Sequence, residues 1–213
     1  MIIAIDGPAG SGKSTIAKLV ALELGFEYLD TGAMYRMVTL RLVNKKISLE
    51  DIRSIEKELK NMKIDILNNR FFLNNVDVTD EIRTPIVSEN VSKVAKIKEI
   101  RYKMVELQRE ISKSKNTILD GRDIGSNVLP NAKYKFFLTA DARKRAERRL
   151  LELNSKGDYS QSLEEVLADI EYRDKQDSER SNAPLVQVAD AIGIDTSNIS
   201  IEQTLEALLS HLN

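Results

Sequence analysis

Gly7-Pro8-Ala9-Gly10-Ser11-Gly12-Lys13-Ser14 is the stretch from which the rest of the chain is read. It fits the phosphate-loop pattern G-x-x-x-x-G-K-[ST] at every fixed position. Glycines let successive backbone N–H groups turn toward one anion, a geometry that side chains would obstruct. The pattern has meaning only between a strand and a helix, and the flanking residues predict both. Ile2 to Asp6 is a short, β-branched apolar run ended by Gly7-Pro8, which reads as a buried strand. From Ser14 onward, Ile16, Leu19, Val20 and Leu24 recur at helical spacing, and Gly25 stands where a C-cap belongs. A helix starting near Ser14 aims the positive end of its dipole at bound phosphate. Gly7 to Ser14, with Thr15, are the expected nucleoside-triphosphate site. Lys13 is expected to bridge the β- and γ-phosphates, and the hydroxyl of Ser14 to ligate Mg²⁺.

Working outward, the same strand–loop–helix rhythm continues. Glu27 to Leu29 predicts a second strand, Asp30-Thr31-Gly32 a turn, and Ala33 the start of a helix. Asn116–Asp120, Tyr134–Leu138 and Ala191–Asp195 predict three more strands, and Ser200 with Gln203 makes a capping box for a last amphipathic helix. Five strands alternating with helices predict an α/β fold built on a parallel sheet with crossover helices. One interval breaks the rhythm. Ile64–Leu67, Phe71–Leu73 and Val76–Val78 are short apolar runs separated by Asn68-Asn69 and Asn74-Asn75, which suits a small antiparallel meander.

Composition removes several kinds of chemistry. The 213 residues suffice for one domain with a buried core. There is no cysteine, which excludes disulfides, thiolate metal sites and cysteine nucleophiles. The single histidine, His211, lies near the end of the chain, so a histidine-based triad or metal centre is not expected. Charge and acid–base work falls to Asp, Glu, Lys and Arg. A formal net charge of -1 argues against nucleic acid as a partner. The run Met1–Ile5 is too short for a signal core or a membrane span, so no membrane partner is expected and the cytoplasm is the expected location. A monomer is expected.

Three further segments narrow the choice among phosphate-loop proteins. No N-K-x-D guanine reader is present, which argues against a GTP switch. Instead the chain carries Leu29-Asp30-Thr31-Gly32-Ala33-Met34-Tyr35-Arg36, then Asp120-Gly121-Arg122-Asp123-Ile124-Gly125, then Arg173-Asp174-x-x-Asp177-x-x-Arg180. In this order, over essentially the whole chain, these segments resemble bacterial cytidylate kinases, P-loop nucleoside monophosphate kinases. The resemblance implies a P-loop kinase fold over residues 1–213: a five-stranded parallel sheet flanked by helices, a small antiparallel monophosphate-binding insert over about 62–96 and a lid over about 146–162. It implies transfer of the γ-phosphate of ATP to CMP or dCMP with Mg²⁺, with UMP or another small acceptor as the nearest alternative. A rival of another class is a regulatory nucleotide-binding module with little turnover. By resemblance, Thr31, Arg36 and Arg122 surround the acceptor phosphate. Ser92, Arg101, Asp123 and Arg180 surround the cytosine, and Arg173 and Asp177 the sugar.

The residues themselves leave some of this open. On a continuous helix Arg173, Asp177 and Arg180 would share one face, where spacing alone favours a self-neutralising ladder of surface ion pairs. Asp120 ends a strand, where it either caps a turn or stands near the metal or its waters. Arg143, Lys144, Arg145, Arg148 and Arg149 form a basic helical run of the sort that usually faces solvent. Ahead of Asn154-Ser155-Lys156-Gly157-Asp158, Arg148 or Arg149 could also swing onto the transferring phosphate. Lys13, Arg122, Asp120 and Arg148 are the expected catalytic set.

Overall fold

A computed structural model describes residues 1–67, 70–113, 115–155 and 157–212. The expected Asn68-Asn69 turn and Lys156 of the expected lid lie outside the described residues. The chain divides into two compact units, one of residues 1–27 with 116–213 and one of residues 28–115.

The sheet follows from the apolar runs. Its strands are β1 (Ile2–Asp6), β2 (Glu27–Asp30), β6 (Thr117–Asp120), β7 (Tyr134–Thr139) and β8 (Ile192–Asp195), in the order β2-β6-β1-β7-β8. β1 pairs in parallel with β6 (Ile3 opposite Ile118) and with β7 (Ile5 opposite Phe136), and β7 with β8 (Leu138 opposite Ile194). Ile3, Ala4 and Ile5 are fully buried, as a parallel strand covered on both faces requires, so β1 shows no polar alternation. The next strand in sequence after β1 lies at an edge and chain order reverses around β1. In open α/β sheets ligands bind at the C-terminal strand ends beside such a reversal.

In the first unit, α1 (Lys13–Leu24) begins at Gly12 (φ 88°) with no side chain capping it, and ends at Gly25 (φ 63°). The π-helical turn Ile124–Val128 follows β6, and α6 (Ala142–Ser155) follows β7. α7 (Leu163–Ser178) begins in a capping box of Ser162 and Glu165, and α8 (Ile201–Leu209) in the expected box of Ser200 and Gln203. Ala146, Val166 and Ile170, with Leu150, Leu153, Leu163 and Leu167 against them, fill the seam between α6 and α7.

In the second unit, α2 (Thr31–Asn44) starts two residues earlier than expected. The Asp30 carboxylate accepts the Ala33 amide at 2.8 Å, so Thr31-Gly32 form a first helical turn, not a loop. α3 (Ile52–Lys60) precedes the antiparallel meander β3 (Ile64–Leu67), β4 (Arg70–Leu73) and β5 (Val76–Asp77). Asn74 and Asn75 have φ of 51° and 66°, the left-handed pair that a two-residue hairpin turn needs. The Asn74 side chain also accepts the Lys63 amide at 2.7 Å. A 3₁₀ turn at Glu81–Arg83, then α4 (Pro85–Val94) and α5 (Lys98–Ser112), complete the unit.

Candidate active site

The phosphate loop springs from the C-terminal end of β1. Gly7 has φ 145°, and a Cβ there would lie 1.9 Å from the Leu138 carbonyl oxygen, so only glycine fits between β1 and β7. Lys13 is buried, and its Nζ donates to the Pro8 carbonyl at 2.6 Å and to Ser11 Oγ at 3.4 Å. Burial, and then the charge of Arg122, push the Lys13 ammonium down to about 7; Asp120, Asp6 and Asp177 partly offset this. Ser14 and Thr15 are exposed at the first turn of α1. Ser14 Oγ donates to Asp120 Oδ2 at 2.6 Å, which joins the loop's hydroxyl to the acid ending β6.

After Asp120 the backbone turns, and Asp6 fixes that turn. Its buried carboxylate accepts the amides of Ile124 at 2.8 Å and Gly125 at 2.7 Å. Burial raises the Asp6 carboxyl to about 6 in spite of these two donors. The held turn carries Arg122 and Asp123. Arg122 Nε donates to Asp177 Oδ2 at 2.8 Å, and Arg180 Nη2 donates to Asp123 Oδ1 at 3.0 Å. Arg180 Nη1 lies 3.9 Å from Asp177 Oδ1. These four residues form one chain of alternating charge. Burial disfavours the charge on Arg122, yet Asp177, Asp120 and Asp174 outweigh it and raise its pKa. Burial, and then Arg122, lower that of Arg173.

The continuous helical face does not hold. α7 ends at Ser178, and Arg180 lies beyond it in a turn where its Nε donates to the Ala183 carbonyl at 2.5 Å. Ala183 has φ 51°, and the Leu185 amide returns to the Asp177 carbonyl at 2.8 Å, so the chain folds back after the helix. Arg180 thereby reaches Asp123 while keeping its ion pair with Asp177.

In the second unit, Thr31 is buried in the first turn of α2. Arg36 Nη1 donates to Ser88 Oγ at 2.9 Å and to the Ile82 carbonyl at 3.2 Å. Ser88 lies one turn before Ser92 on α4. Arg101 of α5 is only 2% exposed; its Nη1 donates to the Ala95 carbonyl at 3.2 Å and its guanidinium lies 5.7 Å from the Tyr35 ring.

The basic run on α6 divides by position. Arg149 pairs with Glu152, and Lys144 with Glu147, as an exposed face would. Arg148 is seated on Thr196, donating to its hydroxyl at 3.1 Å and to its carbonyl. Arg145 is buried against the phosphate loop and Asp174. Sequence reasoning missed Asp6, Arg145, Asp174 and Thr196 as parts of this site. One signal existed for Arg145: it precedes Ala146, which opens the stripe Ala146, Leu150, Leu153 on the covered side of α6.

Ser14 and Asp120 offer hard oxygen donors 2.6 Å apart, the type that holds Mg²⁺ together with nucleotide phosphates. Among the described residues no cluster of three or more acidic or histidine side chains offers an all-protein cage, which Mg²⁺ in phosphoryl transfer does not need. No helix among the described residues is long and apolar enough to cross a membrane.

Residues 3–213 match the family model for cytidylate kinase. Among similar proteins, the cytidylate kinase of Fusobacterium nucleatum is 52% identical over 205 residues, covering 96% of this chain and 94% of that one. The cytidylate kinase of Clostridioides difficile is 50% identical over 213 residues, covering 100% and 98%. A crystal structure of an uncharacterized protein from Eubacterium ventriosum superposes with a TM-score of 0.56 at 13% identity, covering 100% and 98%, a likeness of fold alone.

Proposed function

The chain belongs to the cytidylate kinase family, and we propose on that premise that it transfers the γ-phosphate of ATP to CMP or dCMP, giving ADP and CDP or dCDP. One observation carries the reading. A single unit holds a complete phosphate loop and, after the neighbouring strand, the chain Arg122–Asp177–Arg180–Asp123, so groups for two phosphorylated partners emerge from adjacent strand ends.

Phosphoryl transfer of this kind needs alignment and charge stabilisation rather than a protein nucleophile. The backbone amides of residues 9–15 and the Lys13 ammonium take the donor phosphates. Arg122, with Thr31 and Arg36, takes the acceptor phosphate. Ser14, with Asp120 behind it, would hold Mg²⁺, which would supply neutralisation of the phosphate charge. Cytosine presents an exocyclic amino donor beside the N3 and O2 acceptors, so Arg101 and Arg180 suit the acceptors, Asp123 suits the amino group, and Ser92 adds a hydroxyl. Arg173 and Asp177 hold the sugar. Residues 62–96 serve as the monophosphate-binding insert and 146–162 as the lid, with Arg148 as its candidate contact to the transferring phosphate. The chain works as a monomer in the cytoplasm, with small-molecule partners only.

The test is coupled ADP release against a panel of CMP, dCMP, UMP and AMP. CMP and dCMP should accelerate ATP consumption by orders of magnitude over ATP alone, with UMP well behind. A preference for UMP or AMP, or no acceleration by any monophosphate, would overturn the reading.

A further inference from the structure

A trans peptide group is planar, with its C=O and N–H pointing in opposite directions. Fixing one residue's carbonyl therefore fixes the direction of the next residue's amide. Two carbonyls of the phosphate loop are fixed by side chains from outside it. Ala9 O accepts from Arg145 Nη1 at 3.0 Å, and Ser11 O accepts from Thr196 Oγ1 at 3.2 Å. The amides so directed belong to Gly10 and Gly12, whose φ values are 75° and 88°. Neither glycine has a side chain that could hold its own peptide plane in place.

Both braces are buried, at 4% exposure each, and both are anchored. Arg145 Nε donates to the Ala140 carbonyl at 2.8 Å and its Nη2 to Asp174 Oδ2 at 2.6 Å. Asp174 Oδ1 is buried with no hydrogen-bond partner among the described residues, so the carboxylate's described hydrogen bond goes to Arg145. The Thr196 amide donates to the Thr139 carbonyl at 2.8 Å, and Arg148 Nη1 donates to the Thr196 hydroxyl at 3.1 Å. That hydroxyl has one proton, which leaves it a donor to the carbonyls in reach, Ser11 at 3.2 Å and Thr139 at 3.1 Å. The loop lies so close to α6 that a Cβ on Gly10 would sit 3.2 Å from Arg145 Cβ.

We propose that Arg145 and Thr196 are positioning residues for the donor nucleotide, directing the Gly10 and Gly12 amides toward its phosphates. Their action runs through the loop backbone. The inference rests on the reading of that loop as the ATP site. Arg148 acquires a second role by this route, since it loads the Thr196 hydroxyl as an acceptor and turns its proton toward the carbonyls. A donor set aimed before the ligand arrives needs no reorganisation when charge develops, which is where such groups gain their strength.

The test is calorimetric titration of Mg-ATP and, separately, of CMP into the wild type and three variants. Thr196→Val removes the donor while keeping a similar shape. Its Kd for ATP should rise about fivefold, within the range for one neutral hydrogen bond, with CMP binding unchanged. Thr196→Ser keeps the hydroxyl and should bind ATP like the wild type. Arg145→Lys keeps the charge but cannot fork to three acceptors. It should weaken ATP about tenfold, as for a charged hydrogen bond, again with CMP unchanged. If Thr196→Val does not fold, Arg145→Lys carries the same comparison. Wild-type ATP affinity in the folded variants, or ATP and CMP weakening in step, would reduce the brace to a structural feature. A wild type that binds no ATP would remove the donor-site reading, and the brace with it.

Discussion

At the scale of single residues, Lys13 couples nucleotide binding to the proton. Burial and Arg122 hold its ammonium down to about 7 in the ligand-free chain, whereas a phosphate beside it favours the charged form. Above pH 7 the binding of ATP must therefore take up a proton. Its Kd should rise with pH from 7 upward, approaching tenfold per unit, and titrations at pH 8 in buffers of different ionisation heat should reveal the uptake. Lys13→Met should show neither effect and should lose roughly 10²-fold or more in turnover, as when a charge-stabilising donor is removed. Arg101 supplies a second test. Its stem is buried and its head lies against Tyr35, so Arg101→Met keeps much of the packing while removing every donor. kcat/KM for CMP should fall by roughly 1.5–3 kcal/mol in activation free energy, ATP KM should hold, and discrimination against UMP should shrink. Equal losses for CMP and UMP would assign Arg101 to phosphate or to structure instead of the base.

At the scale of elements, α7 depends on the local chemistry of its first turn. Ser162 and Glu165 satisfy each other's backbone amides, so Ser162→Ala should cost about 1 kcal/mol of stability, read from urea unfolding. The elements also show what a sequence carries plainly. β1, α1 and the meander were legible because their signals are local: an apolar run between breakers, a helical stripe ending at glycine, the asparagine pair Asn74-Asn75 at a left-handed turn. The start of α2 was not, because Asp30 can serve either as a turn residue or as a cap, and only the Ala33 amide decides. The end of α7 was hidden in the same way. Arg173, Asp177 and Arg180 fit helical spacing, while the fold-back through Ala183 leaves no mark in that spacing. Arg145 was hidden by its company, since the basic run outweighs its one cue, a place beside the covered stripe that Ala146 opens.

At the scale of the whole molecule, two buried charges shape the response of stability to pH. Burial pushes the Asp6 carboxyl up to about 6 in the folded chain from its ordinary 3.8, so the native state binds more protons between these values and falling pH favours folding through this group. Lys13 titrates at about 7 against 10.5, so there the unfolded chain binds more protons and rising pH favours folding. Together they place their least favourable window between about pH 6 and 7. The unfolding free energy of the wild type, relative to the Asp6→Asn, Lys13→Met double variant, should thus rise toward both pH 5 and pH 9; a flat difference would overturn the buried-charge account. The unit that holds these groups is also split in sequence, residues 1–27 closing only with 116–213. β1 and the phosphate loop leave the ribosome ahead of their partner strands β6 and β7, which begin at Thr117 and Tyr134. At about 5–20 residues per second, a nascent chain waits roughly 5–25 s with an apolar strand unpaired, and a chain arrested at Lys115 should carry the whole motif and retain no ATP.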